Sequence, residues 1–178
     1  MAEPASARVA WEGRYLTVEV ESWTDVGDYE VVRKHDAAAI VPVTPDGDIV
    51  LVRQFRPAVR SSLLEIPAGL LDVDCEDALA CAERELTEET GYRSTETTFL
   101  GGIFLSPGFT TEYAHLFWAR TEDRPVGEPE AWIEVVVMPL HRAVEGARKG
   151  KVRNAVTALG LLLAAAVPAL RDAATPPP

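Results

Sequence analysis

The stretch AGLLDVDCEDALACAERELTEETGY, residues 68–92, places three glutamates on one side of a predicted helix. At about 3.6 residues per turn, Glu85 and Glu89 lie one turn apart and Glu88 lies beside them. These carboxylates repel one another, and Arg84 offsets only part of that repulsion through its spacing to Glu88. The pattern is therefore typical either of a solvated acidic helix face or of a site that holds a cation.

The limits of this helix follow from its flanking residues. Asp74 or Glu76 can start it, because acidic residues favour the first turn of a helix. It runs to about Thr90, and Gly91 ends it as a C-terminal glycine. An apolar stripe anchors it to a core, formed by Leu79, Ala82 and Leu86. We expect the glutamates to lie beside the loop IPAG, residues 66–69, where oxygen ligands suit Mg²⁺.

Composition limits the classes of protein to consider. The chain has 178 residues, 47% of them hydrophobic, which suits about one domain. A net charge of -11 argues against binding to nucleic acid backbones, and two cysteines do not form a disulfide framework. The apolar run ALGLLLAAAVPAL is too short to cross a bilayer. We expect a cytoplasmic protein without a membrane segment.

The remaining segments predict a sheet flanked by helices. Alternating residues predict two antiparallel strands near 14–23 and 28–35, and two apolar runs meet at a turn of Asp46 and Gly47. A strand–loop–strand segment, a further strand with a short helix, and a closing helix over 153–167 follow. This order predicts an α+β fold, an α/β/α sandwich with a mixed sheet between helices.

The acidic helix resembles the Nudix hydrolase motif, in which a glycine and an acid precede Arg-Glu, Glu-Glu and a final glycine. The matching positions are Gly69, Glu76, Arg84, Glu85, Leu86, Glu88, Glu89, Gly91 and Tyr92. One departure exists, because six residues separate Gly69 from Glu76 where the motif has five. We place the additional residue in the loop before the helix.

The flanks VRQFRPAV, LLEIPAGLLD and SPGFTTEYAHLFWA resemble those of ADP-ribose pyrophosphatases. This resemblance implies hydrolysis of ADP-ribose to AMP and ribose 5-phosphate with Mg²⁺, for which Mn²⁺ can substitute. Two alternatives stay open. The substrate can be another nucleoside diphosphate derivative, such as a nucleotide sugar, a flavin dinucleotide or a CDP-alcohol. The chain can also be a non-hydrolytic module that senses ADP-ribose.

The same resemblance implies roles for residues of the motif. Glu85 and Glu89 are expected to ligate the metal, assisted by Glu88 and the backbone carbonyl of Ala68. Glu88 and Arg84 also count among the expected catalytic residues. Glu76 is expected to hold Arg84 and the geometry of the helix.

A general base is expected on the loop before the last strand. The resemblance places a glutamate there, and the segment VGEPEAWIEVV offers three. Glu130 is the first candidate and Glu128 the second, whereas Glu134 falls within the strand itself. The alternative is that all three are solvated surface residues.

Substrate contacts are predicted for six residues. Arg56 follows a buried strand and precedes Pro57, so its guanidinium suits a phosphate, although a surface ion pair is the alternative. Glu65 can orient Arg56 or contact the ligand. The other expected substrate-binding residues are Leu70, Ser106, Gly108 and Glu112.

The chain divides into three expected parts. Residues 1–35 form an N-terminal arm of antiparallel strands, residues 36–172 a Nudix catalytic domain and residues 173–178 a disordered tail. In the resembling enzymes the N-terminal strands cross to a partner subunit. We therefore expect a homodimer.

Overall fold

A mixed sheet of seven strands lies at the centre of the computed structural model, which describes residues 3–73 and 76–175. The strands of the chain are β1 (Ser6–Glu12), β2 (Leu16–Trp23), β3 (Gly27–Lys34), β4 (Ala37–Val43), β5 (Asp48–Arg56), β6 (Ser61–Glu65), β7 (Ala68–Leu70), β8 (Ser94–Phe104), β9 (Tyr113–Thr121) and β10 (Glu134–Pro139). The helices are α1 (Ala78–Thr90), α2 (Leu140–Arg148) and α3 (Ala155–Ala164).

The order of the main path through this sheet is β10-β5-β4-β9-β8, with β6 paired to β5 and β7 paired to β4. Strand β4 runs parallel to β9 and antiparallel to β5 and β7. The predicted turn at Asp46 and Gly47 is confirmed, since Gly47 has a φ of 83° and its N–H donates to the carbonyl of Thr44. The sheet is therefore mixed, as predicted.

Helices cover both faces of the sheet. Ala38 and Ile40 of β4 pack with α1, while Val41 and Val43 of the same strand pack with α2 and α3. Residues of a strand point alternately to opposite faces, so a strand buried on both faces needs a near-continuous apolar run. The sequence AAAIVPV provides that run. The predicted α/β/α sandwich is confirmed.

A separate sheet of three strands precedes the sandwich, in the order β1-β2-β3. The two predicted strands near 14–23 and 28–35 correspond to β2 and β3. Strand β1 was not predicted; all seven of its residues are exposed, so its sequence lacks a clear buried face. The bridge from Val32 to Thr110 joins this small sheet to the loop before β9.

Three element limits differ from the sequence-based expectation. Helix α1 begins later than expected, because Asp77 is its N-cap and accepts a 2.8 Å hydrogen bond from the Ala80 N–H. Of the two expected starts, Glu76 precedes this cap and Asp74 lies outside the described residues. Helix α3 spans Ala155–Ala164, inside the predicted range 153–167. Within the expected tail, residues 173–178, Ala174 is buried against the core, and residues 176–178 lie outside the described part of the chain.

No helix within the described ranges is both long and apolar enough to span a membrane.

Candidate active site

Helix α1 and strand β7 meet where the glutamates lie. A side-chain carbon added at Gly69 would come within 1.9 Å of Oε1 of Glu85, so only glycine allows this approach. The Cys81 thiol lies 3.5 Å from the Leu70 carbonyl oxygen, its acceptor, and burial raises the pKa of Cys81 to about 12. The helix is thus held to the loop by contacts of its Glu85 and Cys81 side chains with the backbone of Gly69 and Leu70.

Arg84 binds the carboxylates on the outer side of the helix. Its Nε and Nη2 donate to Glu76 at 2.8 and 3.0 Å, and its Nη1 donates to Glu85 at 2.6 Å and Glu88 at 2.9 Å. The hydrogen bond from Arg84 lowers the pKa of Glu76. The prediction that Glu76 holds Arg84 is confirmed. The extra residue was placed in the loop before the helix, of which residues 74–75 lie outside the described part of the chain.

Glu89 lies on the inner side and has a different environment. Glu89 is 4% exposed, and its Oε2 accepts a 3.2 Å hydrogen bond from the Ala68 N–H. It forms no ion pair within residues 3–73 and 76–175. Burial raises the pKa of Glu89 to about 8, and burial also raises the pKa of Glu85. Glu89 is therefore a buried acid without an ion-pair partner among the described residues, and the charge of Arg56 offsets only part of the effect of burial.

The predicted ligands are adjacent but do not converge on one point. Among the described residues, no group of three or more His, Cys, Asp or Glu side chains is arranged to hold a metal ion. The reason is visible at Arg84, which engages Glu85 and Glu88. Glu89 accepts a hydrogen bond from the N–H of Ala68, the residue whose carbonyl was the other predicted ligand.

A cleft of about 410 Å³ opens beside this helix and loop. Arg56, at the end of β5, binds Glu65 at the end of β6, with its Nε donating at 3.0 Å and 3.2 Å and its Nη2 at 2.5 Å. Glu65 is 2% exposed, and its hydrogen bond raises the pKa of Arg56. The pairing of β5 with β6 brings the two residues together. The interpretation that Glu65 orients Arg56 is consistent with these contacts.

The cleft contains most of the predicted substrate-binding residues. Its lining includes Arg56, Glu65, Leu70 and Glu112, together with Ala68 and Gly69. Ser106 and Gly108 are not among the lining residues. Gly108 instead lines a second cavity of about 360 Å³ with Trp23, and the Ser106 carbonyl accepts hydrogen bonds from the Phe109 and Thr110 N–H groups in a turn.

Sequence reasoning missed three polar residues of the cleft, Lys34, Asn154 and Thr157. Lys34 ends β3 and forms an ion pair with Glu112. Asn154 is the N-cap of α3, and its Oδ1 accepts a 2.9 Å hydrogen bond from the Thr157 N–H. The spacing of Asn154 to Thr157 before an apolar run was the available signal for the cap. Lys34 could not be paired with Glu112 from sequence, since 78 residues separate them.

The loop of candidate bases lies against the end of α1. The Glu130 N–H donates to the Glu88 carbonyl at 3.0 Å, and the Val126 and Gly127 N–H groups donate to the Gly91 carbonyl at 2.8 and 3.3 Å. Burial is the largest cause of the raised pKa of Glu85 and of Glu89, and the negative charge of Glu130 is a smaller cause that acts in the same direction. Glu128 is exposed, and Glu134 pairs with Arg53 at 3.3 Å. Of the three glutamates, Glu130 lies near the acidic helix.

These observations define a class of protein, an α/β/α sandwich in which an acidic helix is held to a loop that lines a cleft together with an arginine. Carboxylates there suit a divalent cation, and the guanidinium suits a phosphate. The chain belongs to the NUDIX domain family, whose family model matches residues 33–158. The prediction of a Nudix hydrolase is thereby confirmed.

Comparison with known proteins agrees with this assignment. The chain is 36% identical over 137 residues to "ADP-ribose pyrophosphatase" of Bacillus subtilis, covering 74% of this chain and 73% of that protein. It is 36% identical over 138 residues to "GDP-mannose pyrophosphatase" of Cronobacter sakazakii, covering 71% of each. The solved structure "Crystal structure of ADP compounds hydrolase" has the same fold, with a TM-score of 0.74 over 92% of both chains at 22% identity.

Proposed function

We propose that this protein hydrolyses the pyrophosphate bond of ADP-ribose to AMP and ribose 5-phosphate in a Mg²⁺-dependent reaction. The observation that carries the proposal is Glu89, a buried acid without an ion pair among the described residues, beside a cleft that contains Arg56. Burying an uncompensated carboxylate is costly, and a bound cation removes that cost. The Bacillus subtilis relative is named "ADP-ribose pyrophosphatase", which supports the choice of substrate.

The donor set fits a hard divalent cation. Glu85 and Glu89 would hold it, assisted by Glu88 and the backbone carbonyl of Ala68, and all of these donors are oxygens. Mg²⁺ neutralises charge on the pyrophosphate and makes a water nucleophilic, and Mn²⁺ can supply the same chemistry. Arg84 forms ion pairs with two of these carboxylates, Glu85 and Glu88.

Glu130 is the proposed general base. It would accept a proton from the water that attacks one phosphorus, while the bond from that phosphorus to the bridging oxygen breaks. Its loop is fixed to α1 by the hydrogen bond to the Glu88 carbonyl, so the carboxylate stays on the side of the acidic helix. Glu128, which is exposed two residues earlier, is the second candidate.

Arg56 is proposed to bind a phosphate of the substrate. Glu65 holds the guanidinium through one edge and leaves part of it accessible, because the Arg56 side chain is 42% exposed. Leu70 and Glu112 line the same cleft and are proposed to contact the rest of the substrate. Ser106 and Gly108 would contribute only to a ligand that extends beyond the cleft to the loop before β9.

Two alternatives follow from specific observations. The Cronobacter sakazakii relative is named "GDP-mannose pyrophosphatase", which supports a nucleotide sugar as the alternative substrate. Flavin dinucleotides and CDP-alcohols are the other alternative substrates. A non-hydrolytic sensing module is the remaining alternative, and the presence of all three motif glutamates argues against it.

A substrate panel tests the proposal. The protein is incubated with Mg²⁺ and ADP-ribose, GDP-mannose, FAD or CDP-choline, and products are separated by ion-exchange chromatography. We expect the highest kcat/KM with ADP-ribose and equal amounts of AMP and ribose 5-phosphate. Arg56→Ala should raise KM by about 10-fold or more, whereas Arg53→Ala, which removes an exposed ion pair, should change it little. An intact ADP-ribose pool at high protein concentration would reject the proposal.

We also propose a cytoplasmic homodimer in which residues 1–35 contribute the subunit contact and residues 36–172 the catalytic domain. Large apolar side chains of the small sheet support this, since Val9, Trp11, Val26 and Tyr29 are exposed. Sedimentation velocity should give twice the chain mass. Val9→Ser with Trp11→Ser should shift the distribution toward the monomer, and Val59→Ser, an exposed apolar residue outside this sheet, should not.

A further inference from the structure

A cationic groove of about 280 Å³ lies outside the cleft, between β5, β6 and α2. Its charged lining consists of Arg53, Arg142, Lys151 and Arg153, and none of the residues that line it is acidic. The chain as a whole has 28 acidic and 17 basic residues. The groove is therefore a local reversal of the charge of the protein, and such a reversal attracts small anions.

The cations of this groove have little internal compensation. Arg53 has one partner, Glu134 at 3.3 Å, and Arg153 donates through Nη2 to the Ser61 hydroxyl at 3.1 Å. Arg142 and Lys151 have no side-chain hydrogen bond or ion pair to any residue in the described part of the chain. Among the described residues only Arg53 of these four has an acidic ion-pair partner, the exposed Glu134, so the positive charges repel one another and an anion that neutralises them is stabilised there.

The walls of the groove add an apolar surface to this charge. Leu63, Leu64, Met138 and Val152 line it beside the four cations. A cavity with apolar walls and a few convergent charged groups is typical of a small-molecule site. Leu63 also lines the catalytic cleft, so the two cavities are neighbours that share one side chain.

We propose that this groove is a binding site for a small phosphate-bearing anion, separate from the catalytic cleft. Arg142 and Lys151 contact the phosphate, and Arg53 and Arg153 complete the positive surface. The proposal depends only on these contacts and charges, so it stands or falls independently of which substrate the cleft hydrolyses.

Matched double variants test the proposal. Arg142→Ala with Lys151→Ala removes two groove cations, while Arg148→Ala with Lys149→Ala removes two cations from the same helix and the turn after it that do not line the groove. Both double variants change the net charge equally. All four side chains are exposed, so both variants should fold, which circular dichroism and thermal unfolding verify.

Binding is measured by isothermal titration calorimetry on the full chain in EDTA, with inorganic phosphate in one series and glucose 6-phosphate in another. We expect saturable binding to the unmodified protein, a loss of affinity of about tenfold or more in the groove variant, and a change below about twofold in the control. Tighter binding of glucose 6-phosphate identifies a phosphate monoester as the ligand, and equal binding identifies free phosphate.

Three outcomes would overturn the proposal. The first is the absence of saturable binding to the unmodified protein. The second is an equal loss in both double variants, which indicates non-specific attraction. The third is a change of sedimentation coefficient in the groove variant without any change in phosphate binding, which indicates contact with a second protein chain.

Discussion

Two glutamates, Glu65 and Glu89, are almost equally buried, at 2% and 4% exposure, yet they have opposite surroundings. Glu65 accepts three hydrogen bonds from the Arg56 guanidinium. Glu89 accepts one from the backbone of Ala68 and forms no ion pair within the described residues. The first carboxylate has a direct ion pair, and the second has only the Ala68 N–H and the more distant charge of Arg56.

We propose that this difference separates a positioning residue, Glu65, from a metal ligand, Glu89. A carboxylate that is satisfied by an arginine fixes the direction of that arginine, here toward the cleft. A carboxylate that is buried without a cation is unfavourable in the protein alone, so the fold keeps it only where something else compensates the charge. We therefore expect the substitution of each by glutamine to act on a different property.

The largest expected effect is on turnover. Glu89→Gln should lower kcat/KM for ADP-ribose by about 10³-fold, because it removes an anionic ligand without changing the shape of the side chain. Glu65→Gln should cost about tenfold, through a less well oriented Arg56. Steady-state kinetics with saturating Mg²⁺ measure both. A Glu89→Gln protein that keeps more than about a tenth of the activity would remove Glu89 from the metal site.

The next effect is on stability, and it falls on the other glutamate. Glu65→Gln should lower the free energy of unfolding by about 1–3 kcal/mol, because it leaves the Arg56 guanidinium without its partner. The lower end of that range reflects screening, since the Arg56 side chain is 42% exposed. Urea unfolding of the metal-free protein measures it. Glu89→Gln should not destabilise the same protein; equal losses in the two variants would cancel the distinction.

The smallest effect is a pH dependence of stability in the metal-free protein. Burial raises the pKa of Glu89 from 4.5 to about 8. Between these values the unfolded chain holds fewer protons than the folded one, so stability should fall as the pH rises through this window and level off above it. Glu85 contributes in the same direction.

Thermal unfolding in EDTA at a series of pH values measures this dependence. The slope should be smaller for Glu89→Gln, which has no proton to lose at that position. Saturating Mg²⁺ should reverse it, because deprotonated carboxylates bind the cation more tightly. An identical slope in the variant and the unmodified protein would assign the dependence to other groups.

Sequence patterns were sufficient where a local rule decides the structure. The apolar run of β4 predicts a strand buried on both faces, and Gly91 predicts the end of α1, where the chain takes a φ of 75°. The contact of Glu76 with Arg84 was implied by the motif, although Glu76 itself precedes the helix. These features depend on residues near one another in the chain.

Other features depend on contacts that a single sequence does not encode. The cap of α1 was ambiguous because several acids precede it, and only the side chain of Asp77 reaches the Ala80 N–H. Strand β1 has no buried face, so no alternation marks it. The placement of Gly108 away from the cleft, and of Lys34 within it, is set by how β3 and the loop before β9 pack.

Gly91 has an effect beyond ending a helix. Its carbonyl accepts hydrogen bonds from the N–H groups of Val126 and Gly127. A side-chain carbon at Gly91 would come within 2.2 Å of the Gly127 carbonyl oxygen. The segment that carries Glu130 is therefore attached to the same turn that carries Glu88 and Glu89. The proposed metal ligands Glu88 and Glu89 and the proposed base Glu130 are therefore connected through backbone hydrogen bonds at one helix end. These hydrogen bonds limit how far the Glu130 segment can move from the acidic helix.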